Sequence, residues 1–216
     1  MKYYSIQTDE NNIGRVLHDG KVGDLLDSKN LYEKFESNEI RDIIPDDNFK
    51  HTDILESGDL SLKGLVISQK FHDLIKDFKL LDIQFIEIKN KELNGYKFMF
   101  FNSDLTDKID YEKSKFRLYE LDIIDMEFEE LDIKIPENRK SVIKTDIDIV
   151  SVDIDKRIYP SQGYKFKEVF KIEELDIFRI GHYDLNFYIS EKVKVTLENN
   201  GISGCKFIEQ KMLTTE

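Results

Sequence analysis

Carboxylates are the residues of this chain that come closest to a chemical arrangement. Asp122, Asp125, Glu127, Glu129, Glu130 and Asp132 fall within eleven positions, and Lys134 follows them. Two carboxylates and a lysine on adjacent strands are the groups that hold a magnesium ion and orient water for hydrolysis. Asp122 with Asp132-Ile133-Lys134 is therefore the place where the sequence admits a metal-dependent nuclease or other hydrolase. The pattern is cheap, since Glu87-Ile88-Lys89 repeats it, and the surrounding negative charge repels a nucleic acid. The four histidines, His18, His51, His72 and His182, are scattered, with none at the i, i+4 spacing of a helical metal site. His51-Thr52-Asp53 sets an imidazole near a carboxylate, a pairing that arises readily by chance. The chain has no nucleophile elbow, no phosphate loop and no dinucleotide fingerprint. The expectation is a protein without catalytic residues, metal or cofactor.

The acids sit in a stretch of two-residue alternation. Ile124, Met126 and Phe128 fall on one side and Asp125, Glu127 and Glu129 on the other, which predicts a half-buried strand with an acidic outer face. The bland role for those acids is a solvated or charge-protected sheet face. Asp146 and Asp148 alternate with Ile147 and Ile149, and the phase slips at Val150, so a strand with a bulge is expected there. Elsewhere, Lys2 to Gln7 predicts a strand, and Gly20 to Ser57 is irregular, with short helices around Leu25 to Phe35 and a loop at Asp42 to His51. Ser68 opens a helix whose Phe71, Leu74, Ile75 and Phe78 share one face. Ile83 to Ile88 and Tyr96 to Phe101 are strands joined by a tight hairpin at Asn94-Gly95. Asp104 to Lys115 reads as a polar loop, Lys165 to Lys171 as strand or short helix, and Asp176 to Ile180 as a buried strand.

Lys171 to Gln210 then reads strand, turn, strand, helix, turn, strand. Ser190 is the expected N-cap, accepting from an amide of the first turn, and Gly201 the left-handed residue that ends the helix. Ile67-Ser68-Gln69-Lys70 with Phe85-Ile86-Glu87 matches Ile189-Ser190-Glu191-Lys192 with Phe207-Ile208-Glu209 without a gap. Two related strand-helix-strand halves, 60–104 and 176–210, are expected within one 1–216 domain. The fold class is α+β, with mixed, mostly antiparallel sheets and a few packed helices.

The formal charge of −12 argues against a phosphate-binding surface and suits a basic partner. Cys205 is alone, so no intramolecular disulfide forms and the reducing cytoplasm is the expected compartment. The N-terminus lacks the apolar core of a signal peptide, and no window is apolar enough for a membrane helix. No membrane contact is expected, and oligomeric state is not readable.

Ile177-Phe178-Arg179-Ile180, Phe187-Tyr188-Ile189-Ser190-Glu191-Lys192, Leu197, Gly201-Ile202-Ser203-Gly204 and Phe207 together resemble the C-terminal signature of a bacterial immunity-protein family of polymorphic toxin systems, immunity protein family eleven. Gly64 to Ser68, Ile83-Gln84-Phe85, Gly95-Tyr96 and Asp110 to Phe116 resemble its N-terminal half and middle. The likeness runs from about Leu60 to the C-terminus, and Asp122 to Arg139 matches poorly. The resemblance implies a cytosolic α+β protein that binds and neutralises a cognate toxin and carries no catalytic residue. Under that implication Asp122, Asp125, Glu127, Glu129, Glu130 and Asp132 become candidates for contacting a basic toxin.

Overall fold

The computed structural model describes residues 1–9, 11–18, 39–40, 43–47, 49–58, 64–122, 127–150, 152–153, 155–181 and 184–213. In chain order the strands are β1 (Tyr3–Thr8), β2 (Gly14–His18), β3 (Glu39–Ile40), β4 (Ile43–Pro45), β5 (Ile54–Glu56), β6 (Gly64–Ser68), β7 (Ile83–Ile88), β8 (Tyr96–Phe101), β9 (Phe116–Asp122), β10 (Glu127–Glu130), β11 (Lys156–Pro160), β12 (Ile177–Gly181), β13 (Asp184–Ser190) and β14 (Cys205–Glu209). The helices are α1 (Gln69–Ile75), α2 (Tyr111–Ser114), α3 (Arg139–Thr145) and α4 (Glu191–Asn199).

The fold is α+β, with mostly antiparallel sheets, as the alternation predicts. A seven-stranded sheet runs β3-β7-β8-β6-β5-β2-β4, a four-stranded sheet β12-β13-β1-β14 and a three-stranded sheet β10-β9-β11. Successive strand residues point to opposite faces, and here both faces are used. Tyr4, Ile6, Phe187 and Ile189 of the four-stranded sheet meet Leu65, Ile67, Met99 and Phe101 of the seven-stranded one, with Phe71 of α1 and Val193 of α4 in the same core. Their sequence neighbours go the other way. Tyr3, Phe178 and Tyr188 pack with Phe116, Leu118 and Ile158 of the three-stranded sheet, and Val66, Phe98 and Phe100 enter a third core.

Two units are built alike. In β6-α1-β7 and in β13-α4-β14 the two strands run parallel, with an antiparallel strand between them: β8 in the first, β1 in the second. β5 flanks β6 as β12 flanks β13.

A carboxylate closes each unit onto the other. Asp53, just before β5, accepts from Ser68 Oγ at 2.7 Å and from the amide and hydroxyl of Ser203 at 2.9 Å each, with Lys70 Nζ at 3.8 Å. Asp176, just before β12, accepts from Ser190 Oγ at 2.9 Å and from the Lys79 amide at 3.0 Å, with Lys192 Nζ at 2.9 Å. Ser203 follows the second unit's helix and Lys79 the first's, so each aspartate holds the helix-exit loop of the opposite unit. The backbone repeats the exchange: Ile54 donates to the Ser203 carbonyl at 3.1 Å and Asp176 to that of Lys79 at 2.7 Å. A side chain at Gly204, whose φ is +85°, would collide with the Ile54 carbonyl, so glycine is what lets this loop close.

Several expectations are corrected. Ser190 occupies the N-cap position but makes no side-chain cap bond, its hydroxyl donating to Asp176; Ser68, whose hydroxyl donates to Asp53, also caps by accepting from the Phe71 amide. Asp146 to Val150 is not a bulged strand. Asn138 caps α3, which widens into a π turn over Asp146–Val150, so Ile149 and Val150 reach the core that Val142 enters. Burial pushes the Asp146 carboxyl up to about 6. Asp104 to Lys115 is not a solvated loop, since Leu105, Ile109 and Tyr111 are core residues and Tyr111 begins α2. Ile43–Pro45 is a sheet-edge strand, where proline is tolerated. The β7–β8 hairpin forms with Gly95 at positive φ, but across a longer connection than a two-residue turn. Lys165 to Lys171 is neither strand nor helix, holding a single bridge from Phe166 to Ile109. The helices expected around Leu25 to Phe35 lie outside the described residues.

Replacing Asp176 by alanine orphans the Lys79 amide and the Ser190 hydroxyl and should lower unfolding free energy by about 3 kcal/mol in denaturant titrations. Burial alone would raise the Asp176 carboxyl, but Lys192, the Lys79 amide and Ser190 outweigh it and hold it below the usual value. A depressed folded-state value stabilises above the unfolded carboxylate range and is lost on acidification through the folded one. Wild-type stability should therefore fall more steeply than that of Asp176→Ala below about pH 4.

Candidate functional site

The acids of the sequence reading meet on the β9–β10 hairpin. β9 is placed by Phe116 and Leu118, both buried beneath the sheet, and runs outward until it leaves the core. β10 lies at the sheet's edge and is exposed at every position. Over Glu127–Glu130 the half-buried strand expected from the alternation is a solvated one, paired on one side only, while Ile124 and Met126 lie outside the described residues. Register sets Glu127 opposite Asp122, Phe128 opposite Leu121, Glu129 opposite Glu120 and Glu130 opposite Tyr119. Directly paired residues share a face, so Glu120, Asp122, Glu127 and Glu129 form an acidic block, with two like-charge pairs facing each other. Lys156 of β11, opposite Glu120, is the cation of that row, reaching Glu120 at 3.5 Å and Asp153 at 2.8 Å. Among the described residues neither Glu127 nor Glu129 has an ion pair.

The other face of the hairpin is aromatic and paired. Phe128, 40 % exposed, sits edge-on to Tyr159 with ring centroids 6.1 Å apart, and Tyr159 lies 6.0 Å from Tyr119. Glu130 belongs here, 3.6 Å from Arg117 and 3.4 Å from the Tyr119 hydroxyl. Of the six candidate acids, Asp122, Glu127 and Glu129 share the acidic block and Glu130 turns to the opposite face. Asp125 lies outside the described residues.

Asp132 does not join them. Pairing carries β10 from Glu127 beside Asp122 to Glu130 beside Tyr119, and Leu131 then bonds back to the Leu118 carbonyl. Asp132 therefore comes off the opposite end of the hairpin from Asp122, on the order of 15 Å along the strand. The two-carboxylate arrangement that the hydrolase reading needs is not formed by these residues. Among the described residues no group of three or more His, Cys, Asp or Glu is placed to hold a metal ion.

The remaining candidates resolve into structural roles. Asp53 is engaged by Ser68 and Ser203, while the His51 ring packs against Phe49 and Tyr96. His72 packs edge-on to Phe85, and burial lowers its basicity. The sequence reading missed Asp184, a buried carboxylate that accepts from the Tyr188 hydroxyl and from the backbone and side-chain nitrogens of Asn186. Burial raises its carboxyl, and these donors partly oppose the rise. The Asp184-x-Asn186-x-Tyr188 spacing on one strand face was the readable signal. A cleft of about 490 Å³ is lined by Arg15, Leu17, Asp46, Glu56 and Ser57, and Arg15 is tied to Glu56 at 2.7 Å.

Compared with known proteins, the sequence matches no family model and no curated relative. Among the described residues no helix is long and apolar enough to cross a membrane.

Facing like charges weaken a sheet, so Glu129→Lys, which sets a cation against Glu120, should raise unfolding free energy by about 0.5 kcal/mol. The gain should shrink with added salt, as thermal melts at low and high ionic strength would reveal.

Proposed function

We propose that this chain is an immunity protein: it binds a cognate toxin domain in the cytoplasm and blocks its action, without performing a reaction of its own. The observation that supports the reading is the acidic block in which Glu127 and Glu129 of the edge strand β10 face Asp122 and Glu120 of β9, like charge opposite like charge. A block of that kind speeds capture of a basic partner by steering, which suits a protein that must reach a toxin before the toxin reaches its target. Further support comes from the resemblance carried by Ser190, Gly201, Gly204 and Phe207, residues that shape the second unit and perform no chemistry. The cognate toxin is basic where it meets the hairpin. The hydrolase alternative loses its geometric basis once Asp122 and Asp132 stand at opposite ends of the hairpin.

The decisive experiment is co-expression with the toxin encoded beside this gene. Growth should be restored, and purified chain should form a complex with the toxin domain; continued killing with both proteins expressed would reject the reading. The double change Glu127→Lys, Glu129→Lys should cut the association rate by about tenfold at low salt with little effect on dissociation. An unchanged rate would place the contact elsewhere.

A further inference from the structure

We propose that the outer edge of β10 is a docking strand, which takes an extended segment of the partner as a fourth strand of the three-stranded sheet. The partner segment alternates basic residues with a bulky apolar one. The inference rests on the toxin-binding reading for the partner's identity and on the hairpin's own geometry for its chemistry.

Backbone parity supplies the first argument. The Leu131 amide bonds to the Leu118 carbonyl at 2.9 Å, so in this register Leu131, Glu129 and Glu127 turn their amides and carbonyls toward β9. Phe128 and Glu130 turn theirs away from the sheet, and among the described residues no strand pairs with them. Such a row of backbone groups is a template for another strand. The far edge of the same sheet is guarded differently. On β11 the Ser161 amide pairs with Lys115, so Pro160 falls at an outward position, where its lack of an N–H blocks further pairing. β10 has no proline and no lysine.

Charge chooses the occupant. A second copy of Glu-Phe-Glu-Glu laid along β10 would bring acids against acids, so the edge is closed to self-pairing. A strand carrying lysine or arginine beside Glu127 and Glu129 instead meets both like-charge pairs with the opposite sign. The residue between those two cations points to the other face, where Phe128 and Tyr159 present partly exposed rings. Basic, apolar, basic is therefore the pattern that fits, with backbone pairing setting the register.

The test uses the full chain and a synthetic peptide, acetyl-Thr-Lys-Val-Lys-Val-Lys-Thr-amide, with binding followed by calorimetry and amide NMR shifts. Methylating one alternate set of peptide amides should weaken binding by about tenfold or more, while methylating the other set leaves it unchanged, the signature of strand addition. In the chain, Glu130→Pro removes an outward amide and should weaken binding by a similar factor, about tenfold, whereas Glu130→Gln changes it by less than about threefold. Melting curves would establish that both variants fold. Equal binding of both methylated peptides would overturn the docking strand in favour of a charge-only contact, and so would a peptide that fails to bind. Peptide binding as described without protection against the toxin would sink the immunity reading and leave the docking strand standing. Protection that survives Glu130→Pro would do the reverse.

Discussion

Two carboxylates hold this molecule together, the half-buried Asp53 and the buried Asp176, each gripped by donors from both halves. Asp176 is a charge taken out of water and Asp53 partly so, and such charges are tolerated where their oxygens are satisfied. Each aspartate draws a hydroxyl from its own unit and a backbone amide from the other. Moving one unit relative to the other would therefore break bonds to both carboxylates at once. This constraint fixes how the four-stranded and seven-stranded sheets face each other across the Phe71 and Val193 core. Position then propagates outward. Tyr3, Phe178 and Tyr188 on the far face of the four-stranded sheet seat Phe116, Leu118 and Ile158, and these hold the strands from which the acidic hairpin projects.

The exchange is symmetric because the units are. The helix-entry serines have nearly the same backbone angles, φ −70° and ψ 161° at Ser68 and φ −70° and ψ 159° at Ser190. Each is followed two residues later by a lysine that reaches the aspartate. The inserted strand differs in origin. β8 follows β7 through a hairpin, whereas β1 comes from the other end of the chain and lies against β14, with Gln210 bonding back to the Tyr3 carbonyl. The second unit is thus closed by the N-terminal segment, which places β1 at the centre of the four-stranded sheet instead of leaving it as a loose end.

Much of this was legible in the sequence, and the failures have physical causes. Alternation marked β1, apolar runs marked β7, β8 and β12, and the i, i+3, i+4 spacing of Phe71, Leu74 and Ile75 marked α1, because local burial imposes those patterns. The ungapped match around Ser68 and Ser190 falls on β6-α1-β7 and β13-α4-β14. The partnering aspartates escaped because they sit one residue out of step with that match, and nothing local distinguishes a clasped aspartate from a solvated one. Asp146 to Val150 misled for a related reason: a wide turn buries a different set of residues than either regular period predicts, so alternation there carried no strand. For the candidate site, the acid positions were readable and their arrangement was not. Sequence alone could not separate Asp122 from Asp132, since register is set by pairing.

That arrangement bears on why the acids are where they are. Elsewhere on this acidic surface charges tend to be answered locally: Lys2 meets Glu209, Arg15 meets Glu56 and Lys206 meets Asp9. On the β9–β10 hairpin Lys156 answers Glu120 and Arg117 answers Glu130, yet the register also sets glutamate opposite glutamate and glutamate opposite aspartate. A chain selected for stability alone has an inexpensive remedy in a lysine substituted at Glu127 or Glu129, because both positions are exposed. Among the described residues Glu127 and Glu129 have no ion pair to offset those facing charges, a departure from local rules of the kind that functional surfaces show. Their strand, β10, lies on the sheet that neither symmetric unit contains. The scaffold is held by the paired carboxylates, and the acidic hairpin hangs from its outer face.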